Sequence, residues 1–240
     1  MRVNSTDLQN AFGKYLALVE KEEIVVVKNG KNVAKLIPYT EPDYIAVLEG
    51  SPTYKKRVTY EEYLELVNTS EQRYELINGE IYLLSSPGFR HQVIVNEIAG
   101  HFYNFFRGKS CRSLTAPLDV RLFGYAAKFE EDPNVVQPDI VVICDEEKVS
   151  ADNKYLGVPT LVVEVLSSST KSKDMIVKLN LYLKSGIKEY WIVDPEAGAI
   201  MRYSFTAERE IKELNYFKEG ETIGSTVFEG LAIPLREIFT

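Results

Sequence analysis

Hydrophobic positions along this chain change period several times, and each change marks an element. Leu8, Ala11, Phe12, Tyr15, Leu16 and Val19 recur at helical spacing behind Asn4, Ser5 or Thr6 as N-cap, which predicts an amphipathic helix. β-Branched runs then flank Asn29-Gly30, the dipeptide that best accepts the positive φ angles of a tight hairpin. A helix plus hairpin of this size buries little apolar surface, so its apolar face is expected to pack on another copy or on the rest of the chain.

Further along, Thr59 and Glu62 have the spacing of a capping box and predict a short helix. Asn78-Gly79 predicts a second hairpin, and Ile94, Val95, Ile98, Phe102 and Phe105 fall on one face of a helix that should lie on a sheet. Short apolar runs predict strands over 118–122, 135–143, 161–166, 189–193 and 200–205, with a helix over 173–184 between the third and fourth. The expectation is a mixed α/β domain of residues 59–240, joined by a linker over 45–58 to a small unit of residues 1–44. The chain has no internal repeat, no low-complexity tract and no glycine-rich phosphate loop.

Two strands break the apolar pattern with an acid. Asp139 follows Pro138 at the entrance of "DIVVI", and Glu164 sits inside Leu161, Val162, Val163, Val165 and Leu166. An isolated carboxylate in an apolar interior costs several kcal/mol, so each must be protonated, paired with a cation or bound to a metal. If the two strands are neighbours, the acids form an oxygen-rich site for a hard divalent cation, Mg²⁺ or Mn²⁺. On the following helix, Asp174, Lys178 and Tyr182 recur every four residues opposite an apolar stripe of Ile176, Leu179 and Leu183, which lets Lys178 reach back toward the acids. Two carboxylates, a lysine and a divalent ion suit phosphodiester hydrolysis. A buried ion-pair network of the same three residues without chemistry is the alternative reading.

Composition narrows the setting. The chain has 45% hydrophobic residues, only two cysteines and two histidines, so neither a disulfide framework nor a zinc cluster is expected. No apolar run approaches the length of a membrane span, and the start "MRVNSTDLQN" has no signal core, which points to the cytoplasm. A net charge of −7 argues against an extensive nucleic-acid surface but allows local basic contacts, such as Lys55, Lys56 and Arg57.

Two resemblances add to this reading. "VNSTDLQNAFGKYLALVEKEEIVVVKNGKNVAKLIP" resembles the N-terminal half of Phd/YefM-type antitoxins, which implies a homodimer through residues 1–44 and DNA as a partner. "QPDIVV" followed by "VVEVLS" is similar to the signature of PD-(D/E)XK nucleases, and implies that Asp139 and Glu164 are metal-binding acids. Where that signature has lysine, two residues after Glu164, this chain has Leu166, and the closest candidate to substitute for it is Lys178 on the next helix.

"RYELINGEIYLLSSPGFRH" and "PTLVVEVLSSSTKSKDMIVKLNLYLKSGIKEYWIVDP" resemble the restriction-endonuclease-like branch called Uma-two. That likeness implies a restriction-endonuclease-like mixed-sheet core, an Mg²⁺-dependent endonuclease with Asp139, Glu164 and Lys178 as catalytic residues, and Glu75 and His91 bordering the site. An inactive, nuclease-like DNA-binding regulator or antitoxin is the second reading. From the residues alone, Glu75 is as compatible with a solvent-facing strand position, His91 with a structural place at a helix start, Asp119 with solvent and Trp191 with the core.

Overall fold

A computed structural model describes residues 1–10, 15, 18–19, 23–36, 57–151, 153–167 and 173–239. The chain divides into two compact units, Met1–Lys56 and Arg57–Thr240.

In the first unit, β1 (Arg2–Asn4) leads directly into α1 (Ser5–Asn10), and β2 (Ile24–Lys28) and β3 (Lys31–Leu36) form the hairpin. Asn29 and Gly30 take φ of 51° and 77°, the left-handed pair that a two-residue turn requires. β2 lies between the other two strands, parallel to β1 and antiparallel to β3. Val3, Val19, Ile24 and Val26 form a small buried cluster against which Tyr15 packs. Tyr15 thus turns toward its own unit. Phe12 and Leu16 lie outside the described residues, as do Lys55 and Lys56.

The second unit opens with α2 (Tyr60–Thr69), whose capping box is complete: Glu62 N–H donates to Thr59 Oγ1 at 3.2 Å, and Thr59 N–H to the Glu62 carboxylate at 2.9 Å. The hairpin β4 (Tyr74–Ile77) and β5 (Glu80–Leu83) turns at Asn78 and Gly79, both at positive φ. Next come α3 (Phe89–Phe106), β6 (Arg112–Thr115), β7 (Val120–Leu122), β8 (Asn134–Val136), β9 (Ile140–Ile143) and β10 (Leu161–Val165). A π-helical turn, Lys173–Lys178, runs into α4 (Leu179–Ser185). The chain ends with β11 (Glu189–Asp194), β12 (Ala199–Phe205), β13 (Ile211–Lys218) and the short pair β14 (Thr222–Gly224) and β15 (Ala232–Pro234).

Six strands form the main sheet in the order β13-β12-β11-β10-β9-β6, with β10 and β11 parallel and the other neighbours antiparallel. A second sheet has the order β5-β4-β8-β7. The central strands of the main sheet are covered on both faces, so they read as unbroken apolar runs. Ile140, Val142, Leu161, Val163, Trp191 and Val193 face one cluster, with Ile94, Ile98 and Phe102 of α3. Val141, Val162, Tyr190 and Ile192 face the other, with Leu181 and Tyr182 of α4. Trp191 is fully buried, as its alternation with Val193 requires. At the end of α3, Phe106 rather than Phe105 is the buried ring.

Three sequence expectations need correction. The strand expected over 135–143 is two strands in different sheets, β8 and β9, because Pro138 has no N–H to continue a ladder. Cys111 and Cys144 form a disulfide with Cα atoms 4.1 Å apart, since they extend the β6–β9 pairing beyond Arg112 and Ile143. In the Lys173–Ser185 segment the deepest stripe is Asp174, Lys178 and Tyr182, whereas Ile176, Leu179 and Leu183 are only half-buried. That inversion calls for partners that satisfy the polar groups.

Candidate active site

Those partners converge where the two sheets and the Lys173–Ser185 segment meet. β10 pairs antiparallel to β9 with Val163 opposite Ile140, so Glu164 and Asp139 stand on adjacent strands at the end of the ladder. Val165 N–H donates to Asp139 Oδ2 at 2.8 Å, which ties the Asp139 side chain across the pair. Glu164 lies on the same face as Val162, toward α4, and its Oε1 accepts from Lys178 Nζ at 2.8 Å and from the Tyr182 hydroxyl at 2.6 Å.

Glu75 enters from β4 and is completely buried rather than facing solvent. Strand alternation puts it on the side of Ile77, against the face that α4 covers. Its carboxylate accepts Gln137 N–H at 3.0 Å and Lys173 Nζ at 2.7 Å, and lies 2.9 Å from Lys178 Nζ. Gln137 precedes Pro138 and Asp139, so Glu75 anchors the stretch that presents Asp139. Lys178, with only 3% of its side chain exposed, thus touches Glu164 and Glu75 and lies 3.6 Å from Asp174.

His91, the third residue of α3, lies on the other side of Asp139, with Nε2 3.3 Å from Oδ2. The residues that sequence reasoning placed in or beside the site, Asp139, Glu164, Lys178, Glu75 and His91, are therefore contiguous. Lys173 and Tyr182 join them. Asp119 is exposed and accepts a 2.8 Å hydrogen bond from Gln137 Nε2.

The electrostatics follow from an excess of acids. Burial alone would raise the Glu75 carboxyl, but the charges of Lys178 and Lys173, with hydrogen bonds from Lys173 and Gln137, hold it down at about 2. Glu164 goes the other way: burial, opposed by Lys178 but reinforced by Asp174, Asp139 and Glu75, pushes it up to about 8. Burial opposes the Lys178 charge, yet Glu164, Glu75 and Asp174 outweigh it and hold the ammonium well above its usual range. Lys178 is thus shared among three buried acids, of which Glu75 also has Lys173, and this crowding of carboxylates disfavours the ionised form of Glu164. His91 loses basicity to burial but gains more from its hydrogen bond and charge interaction with Asp139, so it is raised overall.

Among the described residues, no three His, Cys, Asp or Glu side chains are already gathered around one ion position. The donor chemistry nonetheless fits a hard cation, because Mg²⁺ commonly takes one or two carboxylates and keeps several waters. Asp139 and Glu164 on adjacent strands would supply that pair.

A family model described as "Uma2: Putative restriction endonuclease" matches residues 60–236. The chain belongs to the Uma2 family. A Synechocystis sp. protein called "Uncharacterized protein slr1290" is 27% identical over 161 residues, which cover 67% of this chain and 80% of that one. A crystal structure from Anabaena variabilis, titled as "a putative nuclease belonging to DUF820", has a TM-score of 0.58 at 23% identity. It covers 76% of this chain and 97% of that chain. The Uma2 region thus has a restriction-endonuclease-like mixed α/β fold and nuclease-like character. Among the described residues, no helix is long and apolar enough to cross a membrane.

Proposed function

We propose that the larger unit is a metal-dependent endonuclease that hydrolyses phosphodiester bonds of DNA. The observation that carries this reading is the placement of Asp139 and Glu164 at the end of adjacent strands, with Lys178 reaching Glu164 at 2.8 Å from the segment that follows. Asp139 and Glu164 would hold Mg²⁺ or Mn²⁺. When bound, the ion would polarise the phosphoryl oxygen and acidify a water. Lys178 offsets negative charge that develops at the phosphate, and Tyr182 keeps Glu164 oriented. Glu75 positions both Lys178 and the Gln137–Asp139 stretch, while His91 restrains Asp139 from the helix side. Supercoiled plasmid should be nicked or linearised with Mg²⁺ or Mn²⁺ and left intact with EDTA. Equal cleavage in both would remove the metal from the reading.

A second reading is favoured by one observation: Lys178 is so enclosed by carboxylates that it reaches no solvent-facing substrate without rearrangement. In that reading the domain is an inactive nuclease-like DNA-binding regulator or antitoxin, and the same network only holds the fold. The plasmid assay separates the two.

For the N-terminal unit the proposal is a homodimer contact through residues 1–44, with DNA binding as the accompanying role and the cytoplasm as the setting. Among the described residues its buried core is Val3, Val19, Ile24 and Val26, and a helix plus hairpin of this size buries little apolar surface on its own. Full-length protein should sediment as a dimer at micromolar concentration, and removal of residues 1–44 should leave a monomer. A full-length monomer at that concentration contradicts this contact.

A further inference from the structure

A groove of about 140 Å³ opens beside Asp139, between α3 and the end of the edge strand β6. Gln92 and Asn96 line it from α3, one helical turn apart on the same face, and Thr115 lines it from β6. Val95, Ala99 and Ala116 supply its apolar surface. The side chains of Gln92, Asn96 and Thr115 make no hydrogen bond to any described residue, so their donors and acceptors are open to a ligand. Among the described residues, no lysine or arginine lines the groove, which makes that lining a poor receptor for phosphate. Carboxamides and a hydroxyl beside small apolar groups instead match the edge and face of a nucleobase, and a carboxamide pairs in bidentate fashion with the N6 and N7 of adenine.

Resting on the endonuclease reading, we infer that this groove is the subsite for the base of a nucleotide flanking the scissile phosphodiester, with Gln92 and Asn96 favouring adenine. Asp139 borders the groove and also belongs to the site proposed to cut, so a strand whose phosphate lies at Asp139 and Glu164 carries its neighbouring base into this space. Thr115 supplies a hydroxyl from the opposite wall. None of the three polar residues is needed for packing, because all are exposed.

The test is sequencing of the ends produced from a randomised oligonucleotide pool by the full chain with Mn²⁺, and by its Asn96→Ala, Gln92→Ala and Thr115→Val variants, each checked for wild-type thermal unfolding. The wild type should enrich adenine at one position flanking the cut, and loss of either carboxamide should flatten that preference about tenfold or more. A variant profile identical to that of a cutting wild type overturns the subsite alone, as does a wild type that cuts without base preference next to the break. A wild type that cuts nothing overturns the endonuclease reading, and the subsite falls with it.

Discussion

Replacing Lys178 by Met should lower the stability of the metal-free larger unit by about 3–5 kcal/mol, because it leaves buried acids without their shared cation. The methionine keeps much of the apolar volume of the lysine stem, so the loss is one of charge and not of packing. Glu164 and Glu75 lie 2.8 and 2.9 Å from the ammonium, and Asp174 lies 3.6 Å away. Lys173 still pairs with Glu75, but no described lysine or arginine other than Lys178 forms an ion pair with Glu164. Part of the loss should return when Mg²⁺ is added, since the ion supplies positive charge to the same acids. Cleavage should fall by roughly a hundredfold or more even where the protein is folded, as expected when a group that stabilises the transition state is removed. Chemical unfolding and cleavage measured on one preparation check both effects. A Lys178→Met protein that is as stable as wild type and cuts at its rate contradicts the whole account of the cluster.

Much of this cluster was legible because acids inside apolar strands are costly, and that cost singles out Glu164 and Asp139 before any coordinates. The stripe of Asp174, Lys178 and Tyr182 was equally plain as a spacing, but its orientation was not. An apolar stripe normally marks the buried face of a helix, and here the partners Glu164 and Glu75 draw the polar stripe deeper. The π-helical turn at Lys173–Lys178 has no signature in the local pattern.

Glu75 shows a different limit. Strand alternation says which residues share a face but not whether that face is covered, and the partners of Glu75 lie far off in sequence, Gln137 at 62 and Lys173 at 98 positions away. The same limit hid Glu189. Its fully buried carboxylate accepts Trp191 Nε1 at 2.5 Å and Thr226 N–H at 2.7 Å, which secures the loop near Ser225. An acid at a strand entrance gives no sign of that role. The disulfide needed knowledge that β6 pairs with β9, a contact between strands separated by 33 residues at the cysteines. The division of the 135–143 stretch was foreshadowed by Pro138, whose missing N–H is the one local cue to two sheets.

The largest effect on the proposed metal site should come from Asp139→Asn. Asparagine is nearly isosteric and still offers an oxygen to Val165 N–H, whose 2.8 Å bond to Asp139 holds the β9–β10 junction. It removes the formal charge that a hard cation requires, while His91 loses the carboxylate 3.3 Å from its Nε2. The fold should therefore persist as metal binding fails.

The most direct measurement is the thermal transition of the larger unit, in EDTA and in rising Mg²⁺, for the wild type and for Asp139→Asn. A ligand that binds only the native state stabilises it by about 2.7 kcal/mol at a hundredfold excess over its Kd. At about 2–4 °C per kcal/mol for a domain of this size, that corresponds to a rise of about 5–11 °C. The account predicts this rise in the wild type and its absence in Asp139→Asn. An equal rise in both proteins would remove Asp139 from the metal site, and no rise in the wild type at millimolar Mg²⁺ would contradict metal binding at Asp139 and Glu164.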